Sequence, residues 1–332
     1  MSKTLYACLT KDPIHPGVVQ KHQQEHSDIN IVRAAFQRSV IWPQNATINI
    51  AFPTGQIKFP GDTINTYDSE YTDEKANWVK TVIGKYYEPL INLNLVWNNP
   101  IEKSDIRISF VTSAGAFSLL GTQALSIKEK DTITMNLGWI DKDYSNTDNN
   151  VLSGTGVVVV HEFGHMLGMI HEHQRADEPM KWNKNVVYNS LGAPPNNWDH
   201  NQVDAQIFKQ WDMASLNASR FDKHSVMEYI FPNKYFIVTP NLVPTKYLSN
   251  LDIVWVNKTY PGKPLPKGMN PDGTGPNPFG GSTDPGTGPN PSNDGKSWLE
   301  KNWYLFLIIF IIIAIIIAIF FIKKTRTGFA FY

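Results

Sequence analysis

Histidines at positions 161, 165 and 171, with Glu162 after the first and Gly168 between the last two, spell H-E-x-x-H-x-x-G-x-x-H. No other feature of the chain restricts its backbone so tightly. Residues four apart share one face of a helix, so His161 and His165 can offer imidazole nitrogens to the same metal ion. His171, ten residues beyond His161, could not join them from the same continuing helix. Gly168 removes the obstacle, because glycine tolerates the left-handed conformation that ends a helix abruptly and turns the chain back. Three neutral imidazoles and a water make the open tetrahedral site of one catalytic zinc ion. Glu162 is placed to reach a metal-bound water without itself binding the metal. The bland reading, three unconnected surface histidines, does not account for the spacing.

Several flanking motifs repeat the pattern of a known family. Ser225-Val226-Met227-Glu228-Tyr229 fits S-x-M-x-Y, and His171-Glu172-His173-Gln174-Arg175-Ala176-Asp177 fits H-E-x-x-R-x-D. Trp42-Pro43, Asp105 to Phe110, Leu248-Ser249-x-Leu251-Asp252 and Tyr260-Pro261 add to them. Together these resemble the metzincins, and within them the disulfide-free astacin-like enzymes of bacteria and viruses, over residues 41–261. The resemblance implies an α+β, zincin-like, two-lobed catalytic domain with a twisted mixed sheet and an active-site helix. It also implies an endopeptidase acting on protein or peptide substrates. In that family Met227 corresponds to the floor beneath the zinc, and Tyr229 to a tyrosine that stabilises the oxyanion. Residues 119–125 correspond to the edge strand that pairs with extended substrate. In secreted astacins the glutamate matching Glu172 meets the mature N-terminus. No clear cleavage junction precedes Trp42, so a structural role for Glu172 is at least as well supported.

Coarse patterns place these motifs on elements. Residues 47–52 alternate as a strand closed by Pro53. Residues 73–91 form an amphipathic helix with Asp73 as N-cap and Trp78, Val82, Ile83, Tyr86 and Tyr87 on its buried face. Residues 106–111 and 132–137 read as strands, with a shorter one near 119–125 between them, and residues 156–167 as the helix carrying the motif. Three decoys are set aside. His22-Gln23-Gln24-Glu25-His26 matches H-x-x-E-H in a polar setting that suits a solvated helix. Phe59-Pro60-Gly61-Asp62 matches a zinc-masking prosegment motif but follows the first strand, and so reads as a surface turn. Cys8 is read as a bland thiol rather than a metal mask.

Beyond the catalytic region the texture changes. Residues 1–40 form a mostly polar N-terminal extension, partly helical by pattern. Residues 262–302 are a Pro/Gly/Asn-rich tract with Gly-Thr-Gly-Pro-Asn-Pro at 273–278 and again at 286–291. Such composition cannot bury a core and reads as a flexible stalk. Residues 303–322 are twenty residues without a charge, long enough as a helix to cross the roughly 30 Å of a bilayer core. Residues 323–332 are a short basic tail. The chain therefore reads as a single-pass membrane protein held by a C-terminal transmembrane helix. Lys323, Lys324 and Arg326 favour a cytoplasmic tail. The missing signal peptide, the single cysteine and the short tail favour instead a tail anchor with the catalytic domain on the cytosolic side, in a setting such as a virion membrane. A formal net charge of zero gives no electrostatic pull toward nucleic acid. Two readings compete with a proteolytic one: a non-catalytic, membrane-displayed binding or structural protein that keeps a metalloprotease fold, and a peptidase limited to short peptides. Intact Glu162 and the complete histidine set speak against the first.

Overall fold

Strand β2 (Thr47–Ala51) alternates as the sequence predicts, burying Ile48 and Ile50. The structure is a computed structural model, and it describes residues 35–140 and 154–279 except 63, 178–179, 194–195, 230 and 244–246. The chain divides into two units, residues 1–288 and 289–332, and all the described residues belong to the first. Beside β2 lie β5 (Asn94–Val96) and β6 (Ile106–Ser109), then β8 (Met135–Leu137) and β7 (Ala116–Ser118), in the order β5-β2-β6-β8-β7. The first four run parallel and β7 is antiparallel at the edge, giving the expected mixed sheet. Two small antiparallel pairs flank it, β1 (Phe36–Gln37) with β9 (Leu216–Asn217) and β3 (Gln56–Ile57) with β4 (Tyr67–Asp68).

Helix α1 (Asp73–Tyr86) buries Trp78, Val82, Ile83 and Tyr86 as its periodicity requires. Its cap is Thr72, whose hydroxyl accepts from the Lys75 amide at 3.2 Å, and Asp73 opens the first turn. The helix stops five residues short of the expected end because Pro89 disfavours helical geometry in the residue before it. Helix α2 (Gly154–Met166) carries the first two histidines and packs on α1, β7 and β8. Helices α3 (Lys184–Leu191), α4 (His200–Val203) and α5 (Asn250–Thr259) follow.

Three expectations change. The strand expected at 119–125 lies earlier, at β7, and residues 121–126 form a 3-10 turn instead. Gly121 causes this: its φ is +46°, and a Cβ there would sit 1.9 Å from the Val40 carbonyl oxygen. The catalytic region also begins before residue 41. The Ala35 carbonyl accepts from Ile170 N at 3.1 Å, and Gln37 N donates to Gly168 O at 3.0 Å. Finally, residues 262–279, expected to start the stalk, pack on the domain: Met269, Asn277 and Phe279 are buried. The Phe59–Asp62 segment is the expected surface turn, stapled by Asp62. His22, His26, Cys8 and the apolar run 303–322 lie outside the described residues. Among the described residues no helix is long and apolar enough to cross a membrane.

The largest cluster of buried side chains surrounds the sheet, α1, α2 and α5, and another surrounds α3, Trp198, Phe231, Tyr235 and Phe236; two smaller ones hold Val40 and Ile170, and Ile57 and Phe117. Met227 belongs to the first and Tyr229 to the second. The turn between those residues therefore joins the two clusters.

Candidate metal centre

The end of α2 sets the geometry. Gly168 N donates to His165 O at 2.8 Å and Met169 N to Gly164 O at 2.9 Å, a helix-ending pair of bonds that needs a left-handed residue. Gly168 supplies it with φ +96°. Two distant side chains take the carbonyls left over. Trp42 Nε1 donates to Met166 O at 2.8 Å, and the Tyr260 hydroxyl donates to Leu167 O at 2.5 Å. The Trp42-Pro43 and Tyr260-Pro261 motifs thus close the helix that presents the histidines, and the chain then returns to put His171 opposite them.

The three rings meet. His171 Nε2 lies 3.2 Å from His161 Nε2 and 3.0 Å from His165 Nε2. Tetrahedral zinc with bonds of about 2.0–2.1 Å sets its nitrogen ligands roughly 3.3–3.4 Å apart, so these separations fit the ion. The outer nitrogens are fixed as well: His161 Nδ1 faces Val226 O at 2.8 Å and His165 Nδ1 faces Met169 O at 2.7 Å. With the Nδ1 protons donated there, each Nε2 keeps a lone pair for metal. Burial brings the His161 pKa down to about 4 and holds those of His165 and His171 well below the usual histidine range, which favours neutral ligands. Glu162 follows His161 on α2 and is buried.

The turn carrying Met227 and Tyr229 closes beneath. Glu172 N donates to Met227 O at 3.2 Å, tying the turn to the strand of chain after His171. Met227 reaches under α2 because residue 164 is glycine: a Cβ there would lie 2.6 Å from Met227 Sδ. The Tyr229 ring stacks on His161 at 5.8 Å and 15°, and its centroid is 4.4 Å from that of His171.

A buried polar frame supports this turn, and sequence reasoning found only part of it. Asp252, in the first turn of α5, accepts from Ser225 Oγ at 2.8 Å, Val226 N at 2.9 Å and Ser249 N at 3.0 Å. One carboxylate thereby caps α5 and holds the methionine turn. Burial, reinforced by Asp222, pushes its pKa up to about 7 against the pull of those bonds. Glu172, whose role the sequence left open, accepts from Arg175 Nη1 at 2.8 Å and Asp222 N at 2.7 Å. Arg175 also forks onto Asp177 at 3.0 and 2.6 Å; burial opposes its charge, but Glu172 and Asp177 outweigh that and raise its pKa. His173 and Glu228 form a further buried pair at 3.8 Å. Neither was singled out from sequence, although His173 stands next but one to His171.

Comparison with known proteins agrees with this geometry. The family model described as Astacin, a peptidase family, matches residues 146–261, from before α2 to the end of α5. No curated protein sequence matches the chain. Among solved structures, one of myroilysin is 30% identical with a TM-score of 0.58, covering 69% of this chain and 99% of that one. A second myroilysin crystal structure is 28% identical at a TM-score of 0.44, covering 68% and 87%. High choriolytic enzyme 1, a hatching enzyme zinc-protease from the medaka fish Oryzias latipes, is 16% identical at a TM-score of 0.43, covering 69% and 98%. Thirty per cent identity across nearly all of the first myroilysin chain joins the family match and the histidine cluster in one conclusion. The chain belongs to the astacin family of peptidases and is a zinc metalloendopeptidase.

Proposed function

We propose that the enzyme cleaves internal peptide bonds of protein substrates, with His161, His165 and His171 as zinc ligands and Glu162 as general base. The observation that carries this is the convergence of three buried Nε2 atoms, two of them from the helix that also carries the buried Glu162. When bound, zinc supplies a Lewis acid for the scissile carbonyl and lowers the pKa of the attacking water toward about 7. Glu162 accepts that water's proton and delivers it to the leaving amine. Tyr229 donates its hydroxyl to the carbonyl oxygen as negative charge develops there. Its ring, stacked on the histidines, supports that placement. Met227 fills the space beneath the ligands, and Gly164 leaves room for it. Glu162→Gln keeps the shape of the site and removes its base. Zinc content measured by elemental analysis should stay at one per chain while casein hydrolysis falls by at least about a thousandfold, within the usual reach of general base catalysis. Substantial proteolysis in that variant would sink the assignment.

The setting of the domain is part of the same proposal. Residues 280–302 link it to residues 303–322, which anchor it in a membrane. A single cysteine in these 332 residues supports a member of the family without disulfides and favours a reducing compartment. We therefore place the catalytic domain on the cytosolic side of that membrane. Added protease should digest it in sealed vesicles of cytosolic orientation; protection there would reverse the topology.

A further inference from the structure

Away from the histidine cluster, the described residues line a half-open cavity of about 250 Å³ beside the segment that joins β7 to β8. Its lining includes Arg107 from β6, Leu125, Ile127, Lys128 and Lys130 from that segment, and Asp105. Arg107 is 1% exposed. A guanidinium cannot shed its charge, and buried cations are ordinarily matched by a carboxylate. Among the described residues, no carboxylate lies within ion-pair distance of Arg107, Lys128 or Lys130.

Their hydrogen bonds go to neutral carbonyls instead. Arg107 Nε donates to Thr132 O at 2.6 Å, Nη1 to Ser104 O at 3.3 Å and Nη2 to Ile127 O at 3.2 Å. That uses three of its five N–H groups. Lys128 donates to Leu125 O at 2.7 Å and Lys130 to Ser104 O at 2.8 Å. The nearby acids do not close the account. Asp105 Oδ2 is engaged with Asn49 N at 2.8 Å and Asn49 Nδ2 at 3.0 Å, and Asp131 pairs with Lys58 at 2.8 Å. Burial lowers the Arg107 pKa, and Asp105, Glu129 and Asp131, in that order, oppose this by attraction without an ion-pair contact. The other part of the wall is apolar, with Ile127 half-buried and Leu125 39% exposed.

We propose that this cavity binds a carboxylate borne on a short apolar body, such as the C-terminal residue of a peptide that ends in a leucine-like side chain. The carboxylate meets the two uncommitted N–H groups of Arg107 and the ammonium groups of Lys128 and Lys130, while the apolar body lies against Leu125 and Ile127. The carboxylate has two sources, a free chain terminus or an acidic side chain in an uncleaved chain. Binding would tie the segment 125–130 to β6 through Arg107, next to the edge strand of the sheet.

Calorimetric titration of the zinc-loaded chain at low ionic strength tests this, since carboxylate binding at the metal would persist in a lysine variant that keeps the three histidines. Acetyl-leucine should bind, and acetyl-leucinamide at least tenfold more weakly. Acetyl-leucine affinity should drop at least tenfold in the Lys128→Ala/Lys130→Ala variant, with its urea unfolding midpoint unchanged; Arg107→Met, which strands three carbonyls, is the less safe variant. A blocked peptide with an internal glutamate then separates the sources: if it binds too, side-chain carboxylates are included, and if not, the chain terminus is the ligand. Equal binding of acid and amide, inorganic phosphate binding as tightly as acetyl-leucine, no binding of acetyl-leucine, or unchanged affinity in the lysine variant would each overturn the proposal.

Discussion

Replacing Asp252 should loosen the methionine turn and α5 together, because one carboxylate holds both. Alanine there strands three buried donors: Ser225 Oγ, Val226 N and Ser249 N. A buried donor without an acceptor costs about 1–3 kcal/mol, and water entering the space recovers part of that. Three such donors, less what water recovers, come to about 3–5 kcal/mol, a large share of the roughly 5–15 kcal/mol that stabilises a domain. Asparagine is gentler. Its carbonyl oxygen can still accept from both backbone amides while its amide turns to Ser225 Oγ, so Asp252→Asn should cost about 1–2 kcal/mol. The sign of the pH dependence follows from the raised pKa. The folded value of about 7 lies above the ordinary aspartate value of 3.8, so the folded state holds the proton more tightly. That contribution is fully present below pH 3.8 and is lost as pH rises through about 7. Asparagine does not titrate, so the gap between wild type and Asp252→Asn should be widest near pH 4 and narrow toward pH 7. Urea unfolding followed by tryptophan fluorescence at fixed zinc concentration measures both effects. An Asp252→Ala variant within about 1 kcal/mol of wild type, or a gap that widens with pH, would refute the reasoning.

Gly164→Ala places a methyl group 2.6 Å from Met227 Sδ and 3.1 Å from the Tyr87 hydroxyl; stability should fall by about 1–3 kcal/mol. Zinc affinity should weaken with it, as read by competition with a chromogenic chelator, and Met227→Ala in the same chain should restore part of the stability. Arg175→Lys keeps the charge but cannot fork onto Asp177 while also reaching Glu172. It should cost about 3 kcal/mol in urea unfolding, whereas exposed Lys181→Ala should change the midpoint little.

The metal site was legible in sequence because its geometry is local. Helical spacing fixes His161 against His165, and one left-handed glycine turns His171 back, so ten residues carry most of the information. What supports the site was visible only as matching letters. Trp42 and Tyr260 stood out as motifs, yet their purpose, to bond the carbonyls ending α2, spans 124 and 93 residues of chain. His173 and Glu228 gave no signal, since a buried pair 55 residues apart is created by packing and not by spacing. Errors in element boundaries had local causes that were present in the letters but underweighted. Pro89 shortens α1, and Gly121, pressed against Val40 O, turns an expected strand into a 3-10 turn.

The tract after Pro261 shows most clearly why composition misleads. Proline, glycine and asparagine cannot build a core of their own, which is why the sequence predicts a stalk from 262, but they can dock on a core that already exists. Asn250 Nδ2 donates to Gly273 O and Gly275 O, both at 2.9 Å, and Asn277 Nδ2 donates to Leu248 O at 2.9 Å. Phe279 closes the segment with its ring 4.5 Å from that of Tyr86. The positive φ values of Gly273 and Gly275, 84° and 103°, make those carbonyls available to one side chain. Burying a phenylalanine and a methionine is worth about 1.5–3 kcal/mol each, so a chain ending at Pro261 should lose about 3–6 kcal/mol relative to one ending at Gly280. The second copy of the repeat has Ser292 where the first has Phe279, so it cannot supply the same ring. Chains ending at 280 and at 302 should therefore unfold at the same urea concentration, with only the chain ending at 261 lower. Equal midpoints for all three would mean that the docked segment contributes nothing to stability, and that the stalk begins where composition placed it.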